Sequence, residues 1–317
     1  DEGGVGGGGG GGGEDGSAAT AAAREPTGAN GGVGGGDTVA VSVAAPPDSP
    51  DALAGGLLTP VDTAGLEAHP QVPLLQAVRQ VDYWLLFIIC AFAMGAGLVV
   101  INNISQIYEA LHDTAASAPP PGAHGSKSKG ATVFVSIISV CNCFGRMLAG
   151  ALSDSYASRL TRPGFTVVAC LLMGGAHALF AVANVPLLYP TCALAGLAYG
   201  ALWALLPTMV ADLYGLRHFG ANYSFQALAP SMGSIGLSAE LASHIYQSHT
   251  APGVTDCYGH ACYRATHLIL VGGCILAALL ALLLWARTRK FYARMRALRE
   301  EAGAAVDTAA VLPAQSP

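Results

Sequence analysis

The sequence predicts an all-α membrane protein built on six transmembrane helices. Three observations carry that expectation. Only 11% of the 317 residues are charged and 52% are hydrophobic, whereas an average soluble domain carries about 25% charge. The mean hydropathy is +0.48. Long uncharged stretches recur along the chain, and a bilayer core takes about 20 apolar residues per helix.

The stretches follow in order. Residues 83–108 contain no Asp, Glu, Lys or Arg, and predict the first span. Residues 130–145 continue as an apolar pattern past Arg146 to Leu152, giving the second. Between Arg162 and Asp212 lie 49 uncharged residues, too many for one span and enough for two. Asn184-Val185-Pro186 marks the turn between them, because Asn and Pro favour turns, so the pieces are about 163–183 and 187–211. The fifth and sixth spans lie between Arg217 and Glu240 and between Arg264 and Arg287. Pro207 and Pro230 fall inside apolar runs, where each removes a backbone donor and is expected to kink its helix.

The flanks read differently. Residues 1–80 hold 17 of the 41 glycines in their first 36 positions and no Phe, Trp, Tyr, Ile or Cys. Such a segment buries too little apolar area to offset its ordering entropy, so it is expected to be a disordered Gly/Ala/Pro-rich cytosolic linker. The six-helix domain is expected over 81–290, and a basic cytosolic tail over 291–317. The glycine run lacks the strand and the Gly-Lys-Ser/Thr of a phosphate loop, and, without a basic start followed by an apolar core, it is not expected to be a signal peptide. The chain opens on Asp1 rather than Met, and is expected to be a fragment or a processed product.

Lys and Arg set the orientation. With six spans both ends share a side, and that side holds ten basic residues against three on the other (Lys127, Lys129 and Arg264). Both termini are therefore expected in the cytosol, with 109–130 and 246–263 outside. The net charge of −5 gives no support for nucleic-acid binding. Six of the eight cysteines sit in apolar stretches. Cys257 and Cys262 fall in a polar exoplasmic connection, where a disulfide around Gly259, two free thiols, and a metal site with His260 and His249 are all open readings.

Polar side chains in lipid usually face a bundle interior. Asn102, Asn103 and Gln106 lie in the first span, with Asn102 and Gln106 on one face. Asn142 and Arg146 are four apart in the second, Gln226 lies near the start of the fifth, and Tyr199 and Trp203 offer aromatic walls in the fourth. These are candidates for a solute pathway, with helix-to-helix hydrogen bonding as the competing role. His177, taken alone in the third span, reads as a packing histidine, and Glu240 as an interfacial carboxylate. Gly196 and Gly200 form a GxxxG, read as packing within the bundle. No nucleophile–base pair, cofactor motif or metal-ligand spacing appears in the spans, so an enzyme is not expected.

The most specific segment is 145–159, GRMLAGALSDSYASR. Gly150 is expected to admit a neighbouring helix; Asp154 is expected either to pair across to one, near Arg217 or the amides at Ala221 and Asn222, or to be a solvated loop residue while Arg146 snorkels to the cytosol. Gly150, Leu152, Ser153, Asp154 and Arg159, with Arg146 two turns earlier, resemble the conserved cytoplasmic loop motif of the major facilitator superfamily. Ser155 and Ala157 stand where that motif has Arg and Gly. Blocks such as DYWLLF at 82–87, NNISQI at 102–107, VSIISVCNCFGRMLAGALSD at 135–154, HFGANYSFQALAPSMGS at 218–234 and CYGHACYR at 257–264 resemble the nodulin-like branch of that superfamily. The resemblance implies one six-helix half of a twelve-helix fold, with the N-terminal six-helix half as its missing partner. It further implies a secondary transporter in the lipid bilayer, moving a small-molecule solute by alternating access. A non-transporting membrane scaffold or sensor is the alternative.

Overall fold

The computed structural model describes residues 70–112, 129–157, 159–250 and 257–311. Most of the expected linker, the expected exoplasmic loop over 113–128 and the last six residues lie outside the described residues. The described residues are helical: α1 (Leu74–Ala77), α2 (Val81–His112), α3 (Lys129–Ser155), α4 (Arg162–Phe180), α5 (Val185–Tyr214), α6 (Phe219–Gln226), α7 (Leu228–Ser234), a π-helical segment (Ile235–Ala242), α8 (Ser243–Ser248) and α9 (Ala261–Val311).

Among the described residues, five helices are long and apolar enough to cross a membrane: α2, α3, α4, α5 and the first 38 residues of α9. The turn between α4 and α5 falls where the sequence places it. Asn184 caps α5 by accepting from the Leu187 amide at 3.0 Å, and a proline occupies the first helical turn, where no donor is needed. α5 runs through Pro190 and Pro207. Beside Pro207, the Thr208 hydroxyl donates to the Leu205 carbonyl at 2.8 Å, a bond within its own helix.

The fifth expected span is not one helix. It is a succession of α6, α7, the π-helical segment and α8. Pro230 cannot donate to the carbonyl of Gln226, four residues back, and α6 ends at Gln226. The junctions at Ala227, Ile235 and Ser243 keep right-handed backbone, so the chain continues forward through the breaks.

Helix contacts are closest where glycines remove the Cβ. A Cβ at Gly233 of α7 would meet the Ala91 carbonyl of α2 at 1.9 Å. Cβ atoms at Gly145 and Gly200 would meet the carbonyls of Leu197 and Asn142 at 2.3 and 2.1 Å, so α3 and α5 touch backbone to backbone. Gly196 and Gly200 both face α3, which makes their motif a contact inside the bundle. Gly150, expected to admit a helix, has no atom of the described residues within 4 Å of its missing Cβ.

Residues 70–80, inside the stretch read as linker, are docked on the bundle. The Val72 amide donates to the Tyr214 carbonyl at 2.9 Å, and Asn222 donates through Nδ2 to the Val72 carbonyl. Gly215, at φ +82°, lets the chain pass close to Pro70. Val72 and Leu74 pack on the apolar core and Ala77 is fully buried within it, which is the burial that the glycine-rich residues upstream cannot supply. At the far end α9 does not stop at the expected boundary near 290 but continues to Val311.

Candidate functional site

Two polar groups sit on the bundle, one along the spans and one at an end. The first is centred on α3. Arg146 is exposed about two and a half turns before the end of that helix. Its Nε donates to Asn142 Oδ1 at 3.1 Å, and its guanidinium lies 5.7 Å above the Trp203 ring on α5, a cation–π distance. Trp203 meets Tyr199 edge to face, with centroids 6.2 Å apart. Tyr199 in turn packs on Gly97 of α2, where a Cβ would come within 2.5 Å of the ring. Asn142, Arg146, Trp203 and Tyr199 therefore form one chain of contacts across α3, α5 and α2.

The other pathway candidates fall elsewhere. Asn102 is exposed and reaches Ser234 Oγ at 3.2 Å. Asn103 reaches Ser238 Oγ at 2.9 Å and its own Val99 carbonyl, so both tie α2 to the broken helix. Gln106 accepts from the Tyr263 hydroxyl at 2.8 Å. Gln226 is fully buried and donates to the Tyr83 carbonyl at 2.8 Å. That bond joins α6 to α2.

The second group closes one end of the bundle. Arg162, at the start of α4, engages both oxygens of Asp212 on α5 at 2.5 Å and Asp154 of α3 at 3.1 Å. Asp154 thus pairs with Arg162, not with the Arg217 region or the amides at Ala221 and Asn222. The reason is geometric: the turn after α3 returns directly into α4, which brings Arg162 to it. Ser153 donates to the Gly150 carbonyl at 3.0 Å, and Arg159 is exposed in the turn. A cavity of about 360 Å³ lies here, lined among others by Asp154, Arg162, Asp212, Tyr292, Met295 and Arg296. Arg296 donates to the Ala157 carbonyl at 2.8 Å, so the extension of α9 covers the motif. Arg287 pairs with Asp82.

Cys257 and Cys262 are joined by a disulfide, with Cα atoms 5.9 Å apart. The Gly259 amide in their loop donates to the Ala110 carbonyl at 2.7 Å, which fixes the loop to the end of α2. Sequence reasoning missed two features. His267 on α9 lies against His177, and Asp212 serves Arg162. Both needed the helix pairing, although Arg162 and Asp212 bound a two-span stretch and must return to one end.

This is the architecture of a polytopic α-helical membrane domain. Residues 69–294 match the family model described as NFD4, C-terminal domain. The chain belongs to that family, the C-terminal half of the nodulin-like branch of the major facilitator superfamily. It is 29% identical over 230 residues to the protein NUCLEAR FUSION DEFECTIVE 4 of Arabidopsis thaliana, covering 69% of this chain and 36% of that protein. It is 26% identical to the probable transporter mch1 of Emericella nidulans, covering 60% and 34%. It is 29% identical to the uncharacterized MFS-type transporter YhjX of Escherichia coli, covering 55% and 40%. The chain thus spans about a third of the length of the first two relatives. It is an integral, multi-pass membrane protein.

Proposed function

We propose that this chain supplies the C-terminal half of a secondary transporter that moves a small solute by alternating access. One observation carries the reading: Arg146 is exposed within a span yet held by Asn142 and Trp203. An arginine at depth in lipid costs about 2.5–3.5 kcal/mol even by the lower scales, and such residues face a cavity or a partner. α3 is also the least buried of the spans, with 22% of its apolar window covered against 56% or more in α2, α4 and α5. A second six-helix half facing α3 would turn this surface into a wall of a central, wet pathway, where transporters of this architecture bind solute. Asn142, Arg146, Tyr199, Trp203 and Asn102 are the proposed lining. The end bearing Asp82, Arg287, Asp154, Arg162 and the basic stretch after 287 is assigned to the cytosol, and the Cys257–Cys262 loop to the outside.

The test uses the full-length protein in oriented vesicles, with single reporter cysteines at 102 and 142 and a membrane-impermeant thiol reagent. Alternating access is expected to let each position react, one mainly from each side. Cross-linking one side shut is expected to suppress labelling from that side and raise it from the other. Reaction from one side alone, unaffected by cross-linking, would support the scaffold or sensor reading.

A further inference from the structure

The interface of α4 and α9 holds a pair of histidines that the transport pathway above does not use. His177 and His267 are both fully buried. Their Nδ1 atoms are 3.0 Å apart. A bond between two Nδ1 atoms requires one ring to donate and the other to present a bare lone pair, so at least one ring is neutral. The donating ring then has a bare Nε2 and the accepting ring carries Nε2–H. Neither Nε2 meets a partner in hydrogen-bond geometry. The polar neighbour of His177 is the backbone of Ala96 on α2, which favours His177 as the ring with Nε2–H and leaves His267 Nε2 as the free base.

The surroundings make that base a site. Phe180 stacks on His267 at 4.8 Å. From α9, Tyr263 lies 6.3 Å from His267 by ring centroids, and its hydroxyl is committed to Gln106. From α8, Tyr246 packs on Tyr263. Glu109 on α2 acts on Tyr263, while no charged side chain among the described residues acts on either imidazole. A packing role would be filled as well by two apolar residues, without leaving the buried His267 Nε2 unsatisfied, which is unfavourable.

We propose that the His177–His267 pair is a proton-binding site in the membrane interior, with the proton taken up on His267 Nε2. Uptake makes one imidazolium; the Nδ1–H of His267 stays donated to His177 Nδ1, and no other bond changes. The charged pair is disfavoured in this dry, sealed arrangement and favoured in one where α4 and α9 part enough to admit water. By linkage, protonation and opening promote each other. The coupling of this site to solute movement rests on the transporter reading; the site itself does not.

The experiment is nitrogen-15 NMR of histidine-labelled full-length protein in liposomes, across about pH 5 to 8, the interval in which histidine titrates. One proton gained by the coupled pair is expected, with the signal lost in His267→Gln. His177→Asn keeps an oxygen able to accept from His267 Nδ1, and is expected to retain a single titrating ring at a shifted midpoint. The buried thiol Cys274, two turns along α9, is expected to alkylate faster in wild type than in His267→Gln at the acid end, with equal rates at the alkaline end. Both rings neutral and unchanged down to about pH 5, or an undiminished titration in His267→Gln, overturns the proposal. Titration without alternating access upholds the site and removes only its coupling to transport.

Discussion

Arg162 holds two carboxylates of different character. Asp212 has 7% of its side chain exposed and Asp154 has 70%. Removing one partner of a buried pair costs about 3–5 kcal/mol, whereas an exposed pair is worth about 0–1 kcal/mol. Asp212→Asn is therefore expected to lower the thermal unfolding temperature in detergent clearly, and Asp154→Asn barely. Equal effects would show that burial does not set the strength of this network. The pairing of Arg162 with Asp212 was partly legible in the sequence. A 49-residue uncharged stretch makes two antiparallel spans, so the opposite charges bounding it come back to the same end. The partner of Asp154 was not legible, because which helix end lies nearest depends on a turn of a few residues. His267 escaped for a similar reason: a histidine in an apolar run says nothing until the opposite helix supplies His177.

At the scale of elements, glycines decide which helices touch. Gly200→Ala would drive a methyl into the Asn142 carbonyl, and Gly233→Ala into that of Ala91. Both are backbone atoms with no rotamer to yield, so each change is expected to cost about 1–3 kcal/mol of overpacking. Gly150→Ala meets nothing among the described residues and is expected to leave stability unchanged; the readout is the melting temperature of the three variants side by side. Five spans were legible from apolar length and from the turn chemistry at Asn184. The fifth expected stretch was legible as apolar, and so was its kink residue Pro230, but the π-helical segment beyond it was not. One inserted residue per turn leaves no compositional trace. The basic stretch RTRKFYARMRALRE at 287–300 was legible as a helical end, but the continuation of α9 to Val311 was not, since hydropathy stops reporting where a helix leaves the bilayer.

For the whole molecule, charge distribution and covalent chemistry give independent checks on orientation. A cysteine placed at 157 is expected to react with an impermeant reagent from the cytosolic side only, and labelling from outside would invert the assignment. Cys257 and Cys262 should resist alkylation until reductant is added, as read by mass spectrometry; full alkylation without reductant would show the bridge absent in the cell. These two outcomes bear on one another, because an oxidised pair belongs to an exoplasmic loop.

The length of α9 has a mechanical side. At 51 residues and 1.5 Å per residue it runs about 76 Å, more than twice the roughly 30 Å of a bilayer's hydrocarbon layer. A rod pivoting within the membrane moves its protruding tip in proportion to its length, so a small tilt of the buried portion becomes a large sweep at Val311. A fluorophore fixed there would work as the pointer of a gauge, amplifying angstrom-scale rocking of the bundle into a displacement that single-molecule distance measurements can follow.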